Sequence, residues 1–208
     1  NNLEGCFEGL QIGDFQEGLV SGNRIGNSGD CGILAGGHLA DVAVTDNTID
    51  GASIGIALDG VFGSDNAVFS ENTIRNTADA GSFARASEGA VISRNYLEPA
   101  GGVGLDISES SALTISENVV AGRPTEGIII DNSPKNSLTS NILEATPIGI
   151  SLIRPKGQPG SFGNKILNNV VNSTQPVLFQ ILDVVGNETG NPEFDTMPFT
   201  PSPMTPAL

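Results

Sequence analysis

Five charged side chains are spaced so that they could act together: Asp59, Arg85, Asp106, Asp131 and Arg154. Each follows a recurring glycine at short range. Gly55, Gly81, Gly104, Gly127 and Gly149 precede them by four, four, two, four and five residues. Carboxylates repeated in this way can serve as general acid and base, and Asp59, Asp106 and Asp131 are also candidate ligands for a Ca²⁺ ion. Arg85 and Arg154 would neutralise a carboxylate on an acidic substrate. The same residues have an ordinary reading too, because aspartates beside glycine are common turn chemistry and Asp–Arg neighbours on a wet sheet form simple ion pairs. Two residues after each glycine the chain reads Gln11, Leu34, Ala57, Phe83, Asp106, Ile129 and Ser151. That column is apolar for a sugar cleft and equally suits a surface covered by another chain.

Other chemistries have little support. The one histidine, His38, follows Gly36-Gly37 in a turn and reads as a solvated side chain. With one His and two Cys, neither a zinc site nor a Ser/His/Asp arrangement is credible, and the many Gly-x-Gly matches are turn glycines rather than a phosphate cradle. The formal charge of −15, from 24 acidic and 9 basic residues, opposes nucleic-acid binding. Trp is absent and there is one Tyr, few rings for stacking sugars. The chain starts at Asn1 with neither a signal peptide nor an apolar run of membrane length, which reads as a processed or excised piece. Cys6 and Cys31 lie about one repeat apart, so the expectation is either a disulfide between the first two coils or two buried thiols. Asn172-Ser173-Thr174 and Asn187-Glu188-Thr189 are formal glycosylation acceptors.

The elements that must position these residues are set by a repeat. Asn23, Asn47, Asn72, Asn95, Asn118, Asn141 and Asn169 recur about every 23 residues. Three residues before each stands an apolar side chain, from Val20 to Ile166, and two after stands another, from Ile25 to Val171. The glycine series (Gly9, Gly32, Gly55, Gly81, Gly104, Gly127, Gly149) opens each coil. Three short period-two segments per repeat, too short for helices, predict strands that wind as a coil. The expectation is an all-β, right-handed parallel β-helix of about seven to eight coils, with three parallel sheets. Its asparagines would stack as a ladder, each at a left-handed bend. Extra residues between Gly55 and Asn72, and between Gly149 and Asn169, predict loops leaving the coil at one corner, after the glycine-led strand. The helix is expected over 1–185, with a Pro-rich tail or linker over 186–208.

The repeated [VIFL]-[ST]-x-N-x-[ILV] followed by G-[IL]-x-[LI] resembles the parallel β-helix repeat of pectin-lyase-like proteins. That resemblance covers nearly the whole chain and implies the fold, whereas the same repeat serves enzymes, tailspikes and adhesins alike. The Asp-Pro-His of the alginate epimerases and the paired aspartates of the polygalacturonases are absent from this sequence. The leading expectation is therefore an extracellular or cell-surface module with a structural, adhesive or assembly role, without a required cofactor. Head-to-tail stacking of copies into a filament would cover its open ends. The alternative is a polysaccharide-active enzyme (lyase, epimerase or glycoside hydrolase) on an acidic glycan.

Overall fold

The computed structural model describes residues 1–62, 67–144, 146–153, 160–172 and 188–190. These residues form a parallel β-solenoid, with no helix among them. Among the described residues no helix is long and apolar enough to cross a membrane. Every strand pairs in parallel with its counterpart one repeat away. Ile92 stands level with Ile115, and Ile115 with Leu138, while Leu97, Val120 and Leu143 are level one strand further on. These side chains are essentially inaccessible to water and fill a narrow core along the coil axis. A repeat of constant length keeps each apolar side chain on its own kind in the next coil, so the core needs no crossover helix.

Three stacks of strands run along the coil, but hydrogen bonding joins them into two sheets rather than the expected three. An eight-stranded sheet holds the strands after each ladder asparagine, and a thirteen-stranded sheet holds the rest. The fusion comes from Cys31–Thr45, a 15-residue strand that runs through the corner between two stacks. Its first half pairs with Ile54–Phe62 and its second half with Val68–Ser70. Between Asn23 and Asn169 the seven asparagines bound six full turns, slightly fewer than the seven to eight coils expected. Strand Asn2–Glu4 pairs with Arg24–Gly26 one repeat on, and Glu188–Gly190 pairs with Lys165–Leu167.

The asparagine ladder is continuous. Each Nδ2 donates to the next coil's Oδ1 at 2.8–3.0 Å, from Asn23 to Asn169. The same oxygen also accepts the backbone N–H of the previous asparagine, as in Asn95 N to Asn118 Oδ1 at 3.0 Å. The left-handed backbone expected at these asparagines falls instead on the residue before each. Gly22, Asp46, Glu71, Arg94, Glu117, Ser140 and Asn168 have φ between 53° and 64°. That residue turns the chain so that the asparagine amide points inward. The conformation costs a non-glycine residue about 1–2 kcal/mol, and the ladder's buried bonds offset it.

A second ladder was not anticipated. At the corner after the glycine-led strand, the hydroxyls of Ser110, Ser133 and Ser161 accept the backbone N–H of Ser87, Ser110 and Ser133 at 2.9–3.1 Å. It too follows left-handed residues, Ala86, Glu109, Asn132 and Gly160. The opening glycines have a steric cause. A Cβ on Gly127 would sit 2.5 Å from the Gly149 carbonyl, and one on Gly149 would sit 2.8 Å from the Val171 side chain. Of the two expectations for Cys6 and Cys31 the structure takes the free thiols, with Cys31 buried and Cys6 half-buried. Continuing the register of Leu10 with Ile33 puts Glu8, not Cys6, beside Cys31.

Asn118→Leu removes partners from Asn95 N, Asn95 Nδ2 and the Ile92 carbonyl. Each buried group left unmet costs about 1–3 kcal/mol, so a large fall in urea midpoint is expected, and an unchanged midpoint would refute the ladder's role. Gly127→Ala should lower the midpoint as well, because the colliding atom is backbone.

Candidate functional site

The candidate residues lie on the outer face of the glycine-led stack, where alternate side chains point away from the core. In Val103–Ser108, Leu105 and Ile107 are buried while Asp106 and Ser108 face outward. One outward column runs in register through Gly13, Gly36, Asp59, Arg85, Ser108, Asp131 and Ile153. The other runs through Gln11, Leu34, Ala57, Phe83, Asp106, Ile129 and Ser151.

Of the five sequence candidates, four fall into two separate pairs. Asp59 and Arg85 form a bidentate ion pair, Nε to Oδ1 at 3.1 Å and Nη2 to Oδ2 at 2.9 Å, with the guanidinium 5.9 Å from the Phe83 ring centre. Asp106 and Asp131 are diagonal neighbours on adjacent strands, since Asp106 is level with Ile129 and Asp131 with Ser108. Arg154 lies outside the described residues. Asp59 stands three coils from Asp131, about 14 Å at 4.8 Å per coil. The three aspartates therefore do not converge on one ion, and no described group of three His, Cys, Asp or Glu side chains is placed to hold a metal.

The Asp106–Asp131 pair has perturbed electrostatics. Burial pushes the Asp106 carboxyl above its ordinary value and nearby Glu126 adds to this, against a 2.9 Å hydrogen bond donated by Ser108 Oγ. Burial likewise raises Asp131, helped by the charges of Asp106 and Glu109. Oδ1 of Asp131 is buried and makes no hydrogen bond among the described residues. Glu126, which the sequence reading passed over, accepts a 2.5 Å hydrogen bond from Ser151 Oγ on the next coil. Its signal was its place directly before Gly127 in the same strand. Two coils or more towards the N-terminus, the face dips into a shallow hollow. Gly13, Gly36 and Gly37 form its floor, and Gln11, Leu34, Asp14 and Asp59 its edges.

The family of periplasmic copper-binding proteins (NosD) matches residues 8–188. The chain belongs to the NosD family. No curated protein matches it. Among solved structures it is similar to the periplasmic alginate epimerase AlgG, at 16% identity and a TM-score of 0.68, over 91% of this chain and 49% of that one. It is also similar to the DFA-IIIase of Arthrobacter chlorophenolicus A6, at 14% identity and a TM-score of 0.68, over 90% and 53%. The alginate lyase of Paenibacillus sp. str. FPU-7 is a third, at 14% identity and a TM-score of 0.54, over 87% of each chain. At these identities the likeness is one of fold, and the chain spans about half the length of the first two.

The family's name raises copper, which favours imidazole, thiolate and thioether ligands. Among the described residues this NosD chain has one imidazole, His38, and two thiols out of register. Burial, with Asp30 and Glu8 nearby, pushes the Cys31 thiol up to about 11, so it stays protonated at neutral pH. The described residues do not fit a copper centre.

The raised carboxyls carry a sign. The folded state binds the Asp106 proton more tightly than the unfolded chain, so stability is lost as pH rises from the ordinary carboxylate value through the folded one. Asp106→Asn should therefore melt above the parent at pH 7. That advantage should vanish in melts below about pH 3.9, the unperturbed aspartate value. A constant offset at all pH values would contradict the burial of this carboxyl.

Proposed function

We propose that this NosD chain is a cell-envelope β-helix that acts on a glycan across the outer face of its glycine-led strands, with Asp106 and Asp131 as the acid–base pair. The observation that carries the reading is that pair. Two carboxyls lie on adjacent coils of an outward-facing surface, and burial favours protonation of both. Such a pair holds a proton to higher pH than an isolated exposed aspartate does. One member can then donate to a glycosidic or ring oxygen while the other, ionised, takes a proton from carbon or water. Ser108 and Ser151 orient the carboxylates of Asp106 and Glu126 beside them.

Two lines of similarity add support. The structures similar to this chain include an alginate epimerase and an alginate lyase, both of which work on polysaccharide. The family and AlgG are both described as periplasmic, which suits an exported envelope protein.

A panel of soluble glycans tests the reading, with new reducing ends, ultraviolet absorbance of unsaturated ends and sugar epimer ratios measured together. Turnover of one class is expected, with Asp106→Asn and Asp131→Asn each slower by a factor of roughly 100 or more. Turnover unchanged in both variants, or no turnover of any glycan, would overturn it.

A second reading, an assembly module that stacks end to end, is favoured by Phe7, Phe15 and Leu19. These large apolar side chains of the first coil are exposed by 72%, 44% and 68%. Sedimentation across a wide concentration range is its check: growth into long species supports it, and a monomer at every concentration removes it.

A further inference from the structure

We infer that the glycan is a non-acidic one, running along the coil axis, with one of its sugars seated in the hollow over Gly13 and Gly36. The inference rests on the glycan reading above and names its substrate class.

The hollow exists because the outward column loses its side chains there. The positions that carry Asp59, Arg85, Ser108 and Asp131 in later coils are bare at Gly13 and Gly36. Backbone is thereby open to a ligand, with Leu34 and the Gln11 stem offering apolar contact from the neighbouring column. The polar groups at its rim are the Gln11 amide and the carboxylates of Asp14 and Asp59. Ionised carboxylates only accept hydrogen bonds, so they match sugar hydroxyls, which donate. Asp14 is already held in place, its Oδ1 accepting the His38 backbone N–H at 3.0 Å.

Charge decides against a uronate chain. From the hollow to Asp131 the two outward columns carry Asp59, Asp106 and Asp131, and Arg85 is the one cation in them. Arg85 gives Nε and Nη2 to Asp59, so its charge is matched by that carboxylate before any ligand arrives. Glu126 and Glu109 add negative charge beside Asp106 and Asp131. A polyuronate laid along this face would bring its carboxylates against Asp106 and Asp131, and the one cation it met in these columns would already be paired. A chain bearing hydroxyls meets acceptors along the same path.

Gly13 supplies the test because its backbone tolerates a side chain. A Cβ there meets nothing nearer than the Gly36 carbonyl at 3.8 Å. Gly13→Leu should fill the hollow and keep the fold, as read by circular dichroism and melting. Binding of neutral oligosaccharides, amino-sugar oligosaccharides and oligouronates is measured by calorimetry at low and high salt. Neutral or amino-sugar chains should bind the parent at least tenfold more tightly than oligouronates, the gap being widest at low salt. Gly13→Leu should weaken that binding at least tenfold. Gln11→Leu, on the exposed rim, should weaken it severalfold and stands in if Gly13→Leu fails to fold. Equal or tighter binding of oligouronates would overturn the inference, as would full affinity in both variants. Turnover that requires Asp106 while either of those results holds would leave the glycan reading intact. No binding by any of the three classes would sink both.

Discussion

The whole molecule depends on satisfying backbone groups at corners that repeat. Parallel strands stacked at about 4.8 Å fix one coil against the next, so whatever bends the chain once must bend it identically at every level. A corner buries its N–H groups away from water, and an unpaired one is costly. Asparagine answers this with one side chain. Its carbonyl takes two N–H groups of the coil below, and its amide reaches the coil above and a strand-end carbonyl such as that of Ile92. The ladder works only because the residue before it accepts φ near 57°, as Glu117 does. Six different residue types fill the seven places, so the strain is tolerated wherever the amide bonds follow.

Serine does the same service at the next corner with a smaller group. Ser110 Oγ accepts from Ser87 and donates to the Ala84 or Ser108 carbonyl, so one hydroxyl closes both sides of the bend. Between these two ladders lies the glycine-led strand. Its glycine is confined by the next coil's carbonyl at Gly127 and by the Val171 side chain at Gly149, which leaves no room for a Cβ at either. With inner residues fixed by the core and both corners fixed by ladders, only the outward positions of this strand are free to vary. Chemistry therefore collects there, as Asp106, Asp131 and the Asp59–Arg85 pair.

The same rigidity sets what that face can do. A side chain on a stacked strand is held at a known height, and neighbours one coil apart interact while those three coils apart do not. That is why Asp59 is an ion-pair partner and Asp131 a perturbed carboxyl, although both occupy one column. Fold likeness to saccharide enzymes says little about reaction, since many activities share this solenoid. The charge and burial of particular outward residues say more, and they separate an acid pair at one end of the face from a bare glycine hollow at the other.

The sequence by itself determined the repeat, the strands, the asparagine ladder and the face on which Asp59, Arg85, Asp106 and Asp131 lie. It could do so because a parallel solenoid converts sequence spacing directly into spatial stacking, and period alone places Ile92 on Ile115. It also contained Ser87, Ser110 and Ser133 at the same spacing, a ladder that the asparagine period alone did not point to. Only the tertiary structure decided the rest. The fusion of two stacks through Cys31–Thr45, the offset of Cys6 from Cys31, and the left-handed residue lying before the asparagine depend on register within a coil, which a shift of one or two residues reverses. The pairing of Asp59 with Arg85, and the burial that raises Asp106 and Asp131, depend on side chains reaching between coils, and no one-dimensional period records that reach.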